Sequence, residues 1–155
     1  MSKRYILDTG ILLGYLSAAP YAKYVDDKFD LARSIPVTSI ISIGELYAMA
    51  FRFQWDAAKM NHLAELLRKI TPIPITDANL VEKYGEIESY NLNKHLSKKL
   101  PKGTSHRKMT QNDIWIAATG AVLKASLITT DKDFQHLNNV FLEVFYIDPQ
   151  GQGHK

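Results

Sequence analysis

Residues 112–134 read NDIWIAATGAVLKASLITTDKDF, and this stretch decides the fold. In its first part, apolar side chains recur every three or four positions, which predicts a helix over residues 113–124. Small side chains on one face let that helix pack closely on a sheet; the face consists of Ile114, Ala117, Ala118, Ala121 and Val122. Residues 127–129 then form a short apolar run that predicts a strand. Helices alternating with strands are typical of an α/β domain.

The same alternation extends through the rest of the chain. Four further short runs predict strands at residues 5–7, 37–39, 73–75 and 144–146. Longer periodic segments predict helices at residues 22–33, 43–53, 57–69 and 78–90. Pro74 places the third strand at a sheet edge, because proline cannot donate a ladder hydrogen bond. The sequence therefore predicts an α/β fold with a five-stranded, mostly parallel sheet flanked by helices.

Length and composition fit one soluble domain. The 155 residues, 46% of them hydrophobic, suffice for one core, and we expect a single domain over residues 1–148 with a frayed tail at 149–155. The absence of cysteine excludes disulfides, a thiol nucleophile and cysteine-ligated metal sites. The charge-free residues 9–22 fall short of the ~18 apolar residues of a membrane span. We therefore expect a cytoplasmic protein without a membrane segment.

Charge is distributed unevenly along the chain. The 19 Lys and Arg residues exceed the 16 Asp and Glu residues by three, an excess too mild to indicate a partner. Residues 91–112 nevertheless contain six basic residues and no acidic one: Lys94, Lys98, Lys99, Lys102, Arg107 and Lys108. The rest of the chain is therefore net acidic. Such a segment is either a solvated loop or a surface that binds a polyanion.

Four carboxylates lie near the predicted carboxyl ends of strands, where open parallel sheets bind their ligands. They are Asp8, Glu45, Asp113 and Asp131. Three of them also have a purely structural interpretation. Glu45 follows Ser42 at the spacing of a capping box in the first turn of its helix, and Asp113 has a related position after Thr110. Asp131 could be the N-cap of a short turn.

If the four carboxylates converge, their mutual repulsion calls for a cation. Oxygen ligands favour Mg²⁺ or Mn²⁺, and the five histidines form no close pair of the kind that binds zinc. The chain has no GxxxxGK[ST], GxGxxG or GxSxG motif, which removes the usual P-loop, dinucleotide and α/β-hydrolase sites. Carboxylate-held metal can activate water for attack on a phosphodiester. With the basic segment to hold a polyanion, the residues indicate a nuclease.

Four blocks carry a family resemblance: residues 5–10 (YILDTG), 45–46 (EL), 112–118 (NDIWIAA) and 127–134 (LITTDKDF). In that order they resemble the motifs of PIN-domain ribonucleases, and most closely those of VapC toxins from toxin-antitoxin pairs. The resemblance covers about residues 3–146. It implies a doubly wound sheet and a Mg²⁺- or Mn²⁺-dependent endoribonuclease that hydrolyses RNA by metal-activated water. The metal ligands it implies are Asp8, Glu45, Asp113 and Asp131, with Asp133 as a candidate fifth acid and Thr9 and Thr129 in support.

The same resemblance implies partners. Proteins of this kind typically cut tRNA or a ribosomal RNA loop, form homodimers, and are blocked by a small antitoxin that often inserts a basic side chain between the acids. One position departs from the family pattern, because Gly10 stands where an Asn is usual. The family motifs do not include the basic segment, so its RNA-binding role rests on charge alone.

Two alternatives stay open at the level of sequence. One is a phosphohydrolase that acts on small phosphate esters at the same acidic site, although Gly10 occupies the position where such enzymes usually carry a second Asp. The other is a non-catalytic module that binds RNA or protein. Such a module would be indifferent to EDTA, whereas the nuclease would stop.

Overall fold

A five-stranded parallel sheet forms the centre of the protein. The computed structural model describes residues 2–150. The strands are β1 (Arg4–Leu7), β2 (Ile35–Ser39), β3 (Thr71–Ile73), β4 (Ser126–Thr129) and β5 (Val144–Tyr146). Their order is β3-β2-β1-β4-β5, and every neighbouring pair is parallel. The chain thus winds outward in both directions from β1, which confirms the predicted α/β fold and its doubly wound sheet.

Six α-helices connect and cover the strands. They are α1 (Thr9–Ser17), α2 (Ala19–Phe29), α3 (Ile40–Arg52), α4 (Ala57–Lys69), α5 (Ala78–Asn91) and α6 (Gln111–Leu123). Short 3₁₀ helices occupy Leu31–Arg33 and Lys132–Leu137. None of the helices in residues 2–150 is long and apolar enough to cross a membrane. Most of the predicted tail at 149–155 lies outside the described residues.

The first helix was not predicted from the sequence. It begins directly after β1 because the Asp8 carboxylate caps it, accepting a hydrogen bond from the Thr9 N–H at 2.8 Å. The helix is apolar around most of its circumference, so it lacks the period of an amphipathic helix. The next helix also starts earlier than residue 22, at Ala19, and ends at Phe29 because Asp30 has a left-handed backbone (φ 51°).

The third strand covers different residues from those predicted. It spans Thr71–Ile73, not 73–75, so Pro72 lies inside the strand and Pro74 lies after it. The strand does form an edge of the sheet, as expected for a strand that contains proline.

Side chains that alternate along the strands build one apolar layer on each face of the sheet. Ile6 packs on one side with α5 and α6, whereas Leu7 packs on the other with α1, α2 and α4. Helix α6 lies close to the sheet: Ala117 and Ala118 are fully buried, and a Cβ on Gly120 would come within 2.8 Å of Leu142. Because both faces of the sheet are covered, polar side chains can gather at the carboxyl ends of the strands.

Candidate active site

Asp8 lies at the carboxyl end of β1 and is only 6% exposed. Its Oδ1 accepts the Thr9 N–H, and its Oδ2 accepts a hydrogen bond from the Thr129 hydroxyl at 2.6 Å. Thr129 is the last residue of β4, the strand next to β1, so the two strand ends are joined at this point. This is where the winding direction of the sheet reverses, the usual position of a ligand site in such folds.

Glu45 reaches the same place from α3. That helix begins at Ile40 because the Ser39 hydroxyl caps it, accepting the Ile41 N–H at 3.1 Å. Glu45 therefore lies in the second turn, and the predicted capping box from Ser42 is wrong. Its Oε1 accepts a hydrogen bond from the Thr9 hydroxyl at 2.7 Å, and its Oε2 accepts one from Asn112 Nδ2 at 3.3 Å.

Asp113 and Asp131 reach the site from α6 and from the loop after β4. The Thr110 hydroxyl caps α6 by accepting the Asp113 N–H at 3.1 Å, so Asp113 lies in the first turn of the helix as predicted. Asp131 caps the Lys132–Leu137 helix by accepting the Asp133 N–H at 2.8 Å, which confirms the predicted N-cap. Capping does not prevent a second role, because a carboxylate offers about four lone-pair sites.

Electrostatic coupling shows that the four carboxylates share one environment. The pKa of Asp113 is raised to about 7, first by burial and then by the charges of Asp8, Asp131 and Glu45. Burial also raises the pKa of Asp8, against the hydrogen bonds from Thr129 and Thr9, and the charges of Glu45 and Asp131 add to the rise. We call this group of four carboxylates the acidic site.

The acidic site fits a hard divalent cation by its chemistry. All its donors are oxygens, and a positive charge would relieve the repulsion that raises the pKa of Asp113. Among residues 2–150, however, no three acidic or histidine side chains are gathered into a cluster that could hold a metal ion. The carboxylates of Asp8, Glu45 and Asp131 instead accept hydrogen bonds from neighbouring hydroxyl and N–H groups, which orient them.

Comparison with known protein families gives a match over most of the chain. A family model of the PIN domain matches residues 5–140. The chain belongs to the PIN domain family. This match includes all four carboxylates of the acidic site and the glycine at position 10.

Solved structures that resemble this PIN domain include several toxin-antitoxin complexes. VapBC2 from Rickettsia felis, bound to a DNA fragment from its promoter, is 23% identical with a TM-score of 0.70, covering 92% of this chain and 98% of that chain. VapBC-1 from nontypeable Haemophilus influenzae is 25% identical with a TM-score of 0.70, covering 92% and 97%. VapBC-5 from Mycobacterium tuberculosis is 19% identical with a TM-score of 0.61, covering 93% and 98%. No curated protein matches the chain. The family match and these neighbours agree on the PIN fold.

The candidate fifth acid lies next to Asp131 of the acidic site in this PIN domain. Asp133 is exposed and lines a polar cavity of about 190 Å³, where its charge acts on His136. Its N–H, and not its carboxylate, is the group that contacts Asp131.

The predicted RNA-binding residues separate into two groups. Arg107 and Lys108 line the cavity that also contains Asp133. Lys98 lies elsewhere, with its ammonium 5.4 Å from the centre of the Phe141 ring. Phe141 precedes β5 and therefore lies near the amino ends of the strands, whereas the acids lie near the carboxyl ends. The other three, Lys94, Lys99 and Lys102, are exposed on the connection between α5 and α6.

Sequence reasoning missed three residues that line the cavity: Lys132, Gln135 and His136. Lys132 is inside the LITTDKDF block, so its position one residue after Asp131 was a usable signal. His136 gave no signal, because its neighbours in the cavity come from a segment about 30 residues earlier in the chain.

Proposed function

We propose that this PIN domain is a divalent-metal-dependent endoribonuclease and the toxin of a toxin-antitoxin pair, acting in the cytoplasm. The observation that carries the proposal is the coupling of four carboxylates at the point where the sheet reverses its winding. Such a concentration of negative charge is unfavourable for folding alone, so it points to a cation. The choice of RNA, and of tRNA or ribosomal RNA in particular, rests on the resemblance to VapC-type ribonucleases.

The residues that would hold Mg²⁺ or Mn²⁺ are Asp8, Glu45, Asp113 and Asp131. When bound, such a cation supplies an activated water and positive charge for in-line displacement at a phosphodiester. The chain itself orients the ligands. Thr129 holds Asp8 through the 2.6 Å hydrogen bond, and the hydroxyl of Thr9 holds one oxygen of Glu45. These two threonines are positioning residues.

A small antitoxin is the partner that we propose for the acidic site. Several structural neighbours are described as VapBC complexes, which supports a partner of this kind. A basic side chain of the partner would satisfy the same carboxylates that hold the metal, and would thereby compete with it. We accordingly expect the antitoxin to inhibit cleavage and to weaken the binding of Mn²⁺ to the toxin.

A second copy of the chain is the partner that we propose for the outer face of α3. Ile40, Tyr47 and Phe51 are spaced along that face and are 43%, 38% and 72% exposed. The resemblance to VapC toxins supports a homodimer. Phe51→Asp should shift the mass measured by light scattering from dimer to monomer, whereas Val81→Asp, at an exposed position on α5, should not.

Cleavage of a labelled RNA by the purified protein tests the proposed function. We expect cleavage with Mg²⁺ or Mn²⁺, none with EDTA, and a loss of at least about 10²–10³-fold in Asp8→Asn. The matched control is Asp27→Asn, which alters an exposed carboxylate paired with Lys23 and should leave cleavage unchanged. Cleavage that persists in EDTA or in Asp8→Asn would contradict the assignment.

The same assay separates the alternatives. Hydrolysis of a nitrophenyl phosphate without cleavage of RNA would indicate a phosphohydrolase. RNA binding that is unaffected by EDTA and is not followed by cleavage would indicate a non-catalytic binding module.

A further inference from the structure

A second polar cavity lies directly beside the acidic site. It has a volume of about 190 Å³ and opens between the connection that precedes α6 and the Lys132–Leu137 helix. Six of its lining side chains can carry a positive charge or donate a hydrogen bond: His106, Arg107, Lys108, Lys132, Gln135 and His136. We call it the basic cavity. Lys132 follows Asp131 in the chain, and the N–H of the cavity residue Asp133 donates to the Asp131 carboxylate at 2.8 Å, so the basic cavity adjoins the acidic site at Asp131.

One buried residue is hydrogen-bonded to both walls of the basic cavity, which are the connection before α6 and the Lys132–Leu137 helix. Asn91, at the end of α5, is fully buried. Its carbonyl oxygen accepts the Arg107 N–H at 2.8 Å, and its side-chain Oδ1 lies 2.6 Å from His136 Nε2. Tyr90 stacks on the His136 ring from the adjoining position in α5. The cavity is therefore a built feature of the fold and not a chance gap between mobile loops.

The charge in the basic cavity is opposite to that of the acidic site. Arg107, Lys108 and Lys132 supply three permanent positive charges, against the single carboxylate of Asp133. His136 stays neutral at neutral pH, because burial and the charge of Arg107 lower its pKa. A cavity with this charge suits one phosphate group, which guanidinium and ammonium groups bind through charge-assisted hydrogen bonds.

An RNA strand needs such a cavity next to the acids. Four carboxylates repel the phosphates on either side of the bond to be cut, and cations immediately beside them offset that repulsion. Lys98 does not meet this need, since its ammonium is over Phe141 near the amino ends of the strands. Of the six predicted RNA-binding residues, only Arg107 and Lys108 line the cavity.

We propose that the basic cavity binds one backbone phosphate of the RNA strand, adjacent to the phosphate cleaved at the acidic site, through Arg107, Lys108 and Lys132. The proposal rests on the proposed nuclease function. Asn91 is a positioning residue that holds both walls. The cavity thereby fixes the register of the strand relative to the acids, so it contributes to the choice of cleavage site as well as to affinity.

A pair of charge-matched double variants provides the test. R107Q/K108Q removes one Arg and one Lys from the basic cavity, and R68Q/K69Q removes the same two residue types from exposed positions at the end of α4. Binding of a single-stranded RNA is measured against salt concentration in the Asp8→Asn background, where the strand is not cut. We expect R107Q/K108Q to weaken binding about tenfold and to lower the salt slope by about 1, whereas R68Q/K69Q changes neither.

Neutral linkages then locate the phosphate. A set of RNAs is made in which one phosphate at a time is replaced by an uncharged methylphosphonate. In the protein with intact Arg107 and Lys108, replacement at a single position next to the cleavage site should weaken binding about as much as R107Q/K108Q does. In R107Q/K108Q, the methylphosphonate at that position should weaken RNA binding little beyond the effect of the two substitutions. In Mg²⁺, we expect R107Q/K108Q to raise KM more than it lowers kcat, because these residues bind the strand and do not perform the reaction.

The outcomes separate the two proposals. Mg²⁺-dependent cleavage of RNA by the parent, with R107Q/K108Q indistinguishable from R68Q/K69Q, would overturn the phosphate site and leave the nuclease intact. A neutral linkage that costs the same with and without Arg107 and Lys108 would also overturn the phosphate site. A parent protein that neither binds nor cleaves RNA would overturn both. Circular dichroism and thermal unfolding of each variant verify that the fold is retained.

Discussion

The acidic site and the basic cavity are neighbours that are built in different ways. The acidic site consists of four electrostatically coupled carboxylates near strand and helix ends, and hydroxyl and N–H groups donate directly to three of them, Asp8, Glu45 and Asp131. The basic cavity depends on one long-range fastening, in which Asn91 holds both Arg107 and His136. Its cations are exposed, whereas the carboxylate of Asp8 is buried.

This difference determines how each region responds to change. Like charges that are partly buried raise one another's pKa and cost stability, so the acidic site should be sensitive to small changes in its supporting hydroxyls. Exposed cations repel one another weakly, because water and salt screen them. We therefore expect substitutions at the acidic site to affect metal binding and stability, and substitutions in the basic cavity to affect mainly the binding of RNA.

Among the residues that support the carboxylates, Thr129 is expected to show the largest effect, in Thr129→Val. This change keeps the shape of the side chain but removes the hydroxyl that donates to Asp8 and accepts from the Asp131 N–H. Cleavage should fall about 10–100-fold and the Mg²⁺ concentration for half-maximal rate should rise, as is usual when a group that orients a metal ligand is lost. Thr129→Ser should restore most of the activity.

Thr119→Val is the matched control for that substitution. Thr119 is also buried, but its hydroxyl bonds to the Trp115 carbonyl within α6. Its removal should leave the Mg²⁺ dependence of cleavage unchanged. Equal losses in Thr119→Val and Thr129→Val would show that Thr129 supports the fold and not the acidic site.

A smaller effect is expected at Gly10, where the family usually has Asn. A Cβ at this position would come within 2.2 Å of the Thr130 hydroxyl oxygen, so the Thr130 side chain would have to move to admit it. Gly10→Ala should lower the free energy of unfolding by about 1–3 kcal/mol, the usual cost of overpacking. Urea unfolding measures the change. Combining it with Thr130→Ala should recover most of the loss, and an unrecovered loss would place the conflict elsewhere in the backbone.

A separate effect is expected on stability as a function of pH. The carboxyl of Asp113 has an ordinary value of 3.8 but a pKa of about 7 in the folded protein, so between these values the folded state holds a proton that the unfolded state has lost. In EDTA, the parent should therefore lose stability as pH rises from about 4 to about 7. Asp113→Asn removes this loss.

Urea midpoints of both proteins, compared at several pH values, measure the contribution of that carboxyl. The difference in favour of Asp113→Asn should be small at pH 4 and should grow until about pH 7. Asp27→Asn, at an exposed position, should track the parent throughout. A constant difference between Asp113→Asn and the parent would mean that neither burial nor the other three carboxylates raise the pKa of Asp113 in the folded protein.

Much of the acidic site could be predicted from the sequence because its residues follow strands closely. The run at 127–129 is almost all of β4, and Asp131 comes two residues after it. The turn that contains Glu45 was predicted wrongly, because two serines lie near the start of α3 and Ser39, not Ser42, is the cap. The predicted strand at 37–39 ends where β2 ends, so the error lies in the start of the helix, which was placed at residue 43 and not at Ile40.

From the sequence, only the positive charge of residues 91–112 could be predicted, and not the basic cavity itself. Six cations in residues 91–112 were visible, but nothing in the sequence showed that Arg107 lines the basic cavity whereas the Lys98 ammonium lies over Phe141. That separation follows from contacts with Asn91 and Phe141, which depend on packing between distant segments. Local patterns carry no information about such contacts.

Calorimetric titration of Mn²⁺ tests the central claim most directly. The parent is compared with Asp8→Asn, Glu45→Gln, Asp113→Asn and Asp131→Asn, and with Asp133→Asn as the control from the neighbouring cavity. The account predicts that each of the first four variants weakens Mn²⁺ binding, because each removes an oxygen ligand and a negative charge, whereas Asp133→Asn binds like the parent. Binding that is insensitive to the four substitutions, or that is lost equally in Asp133→Asn, would contradict it.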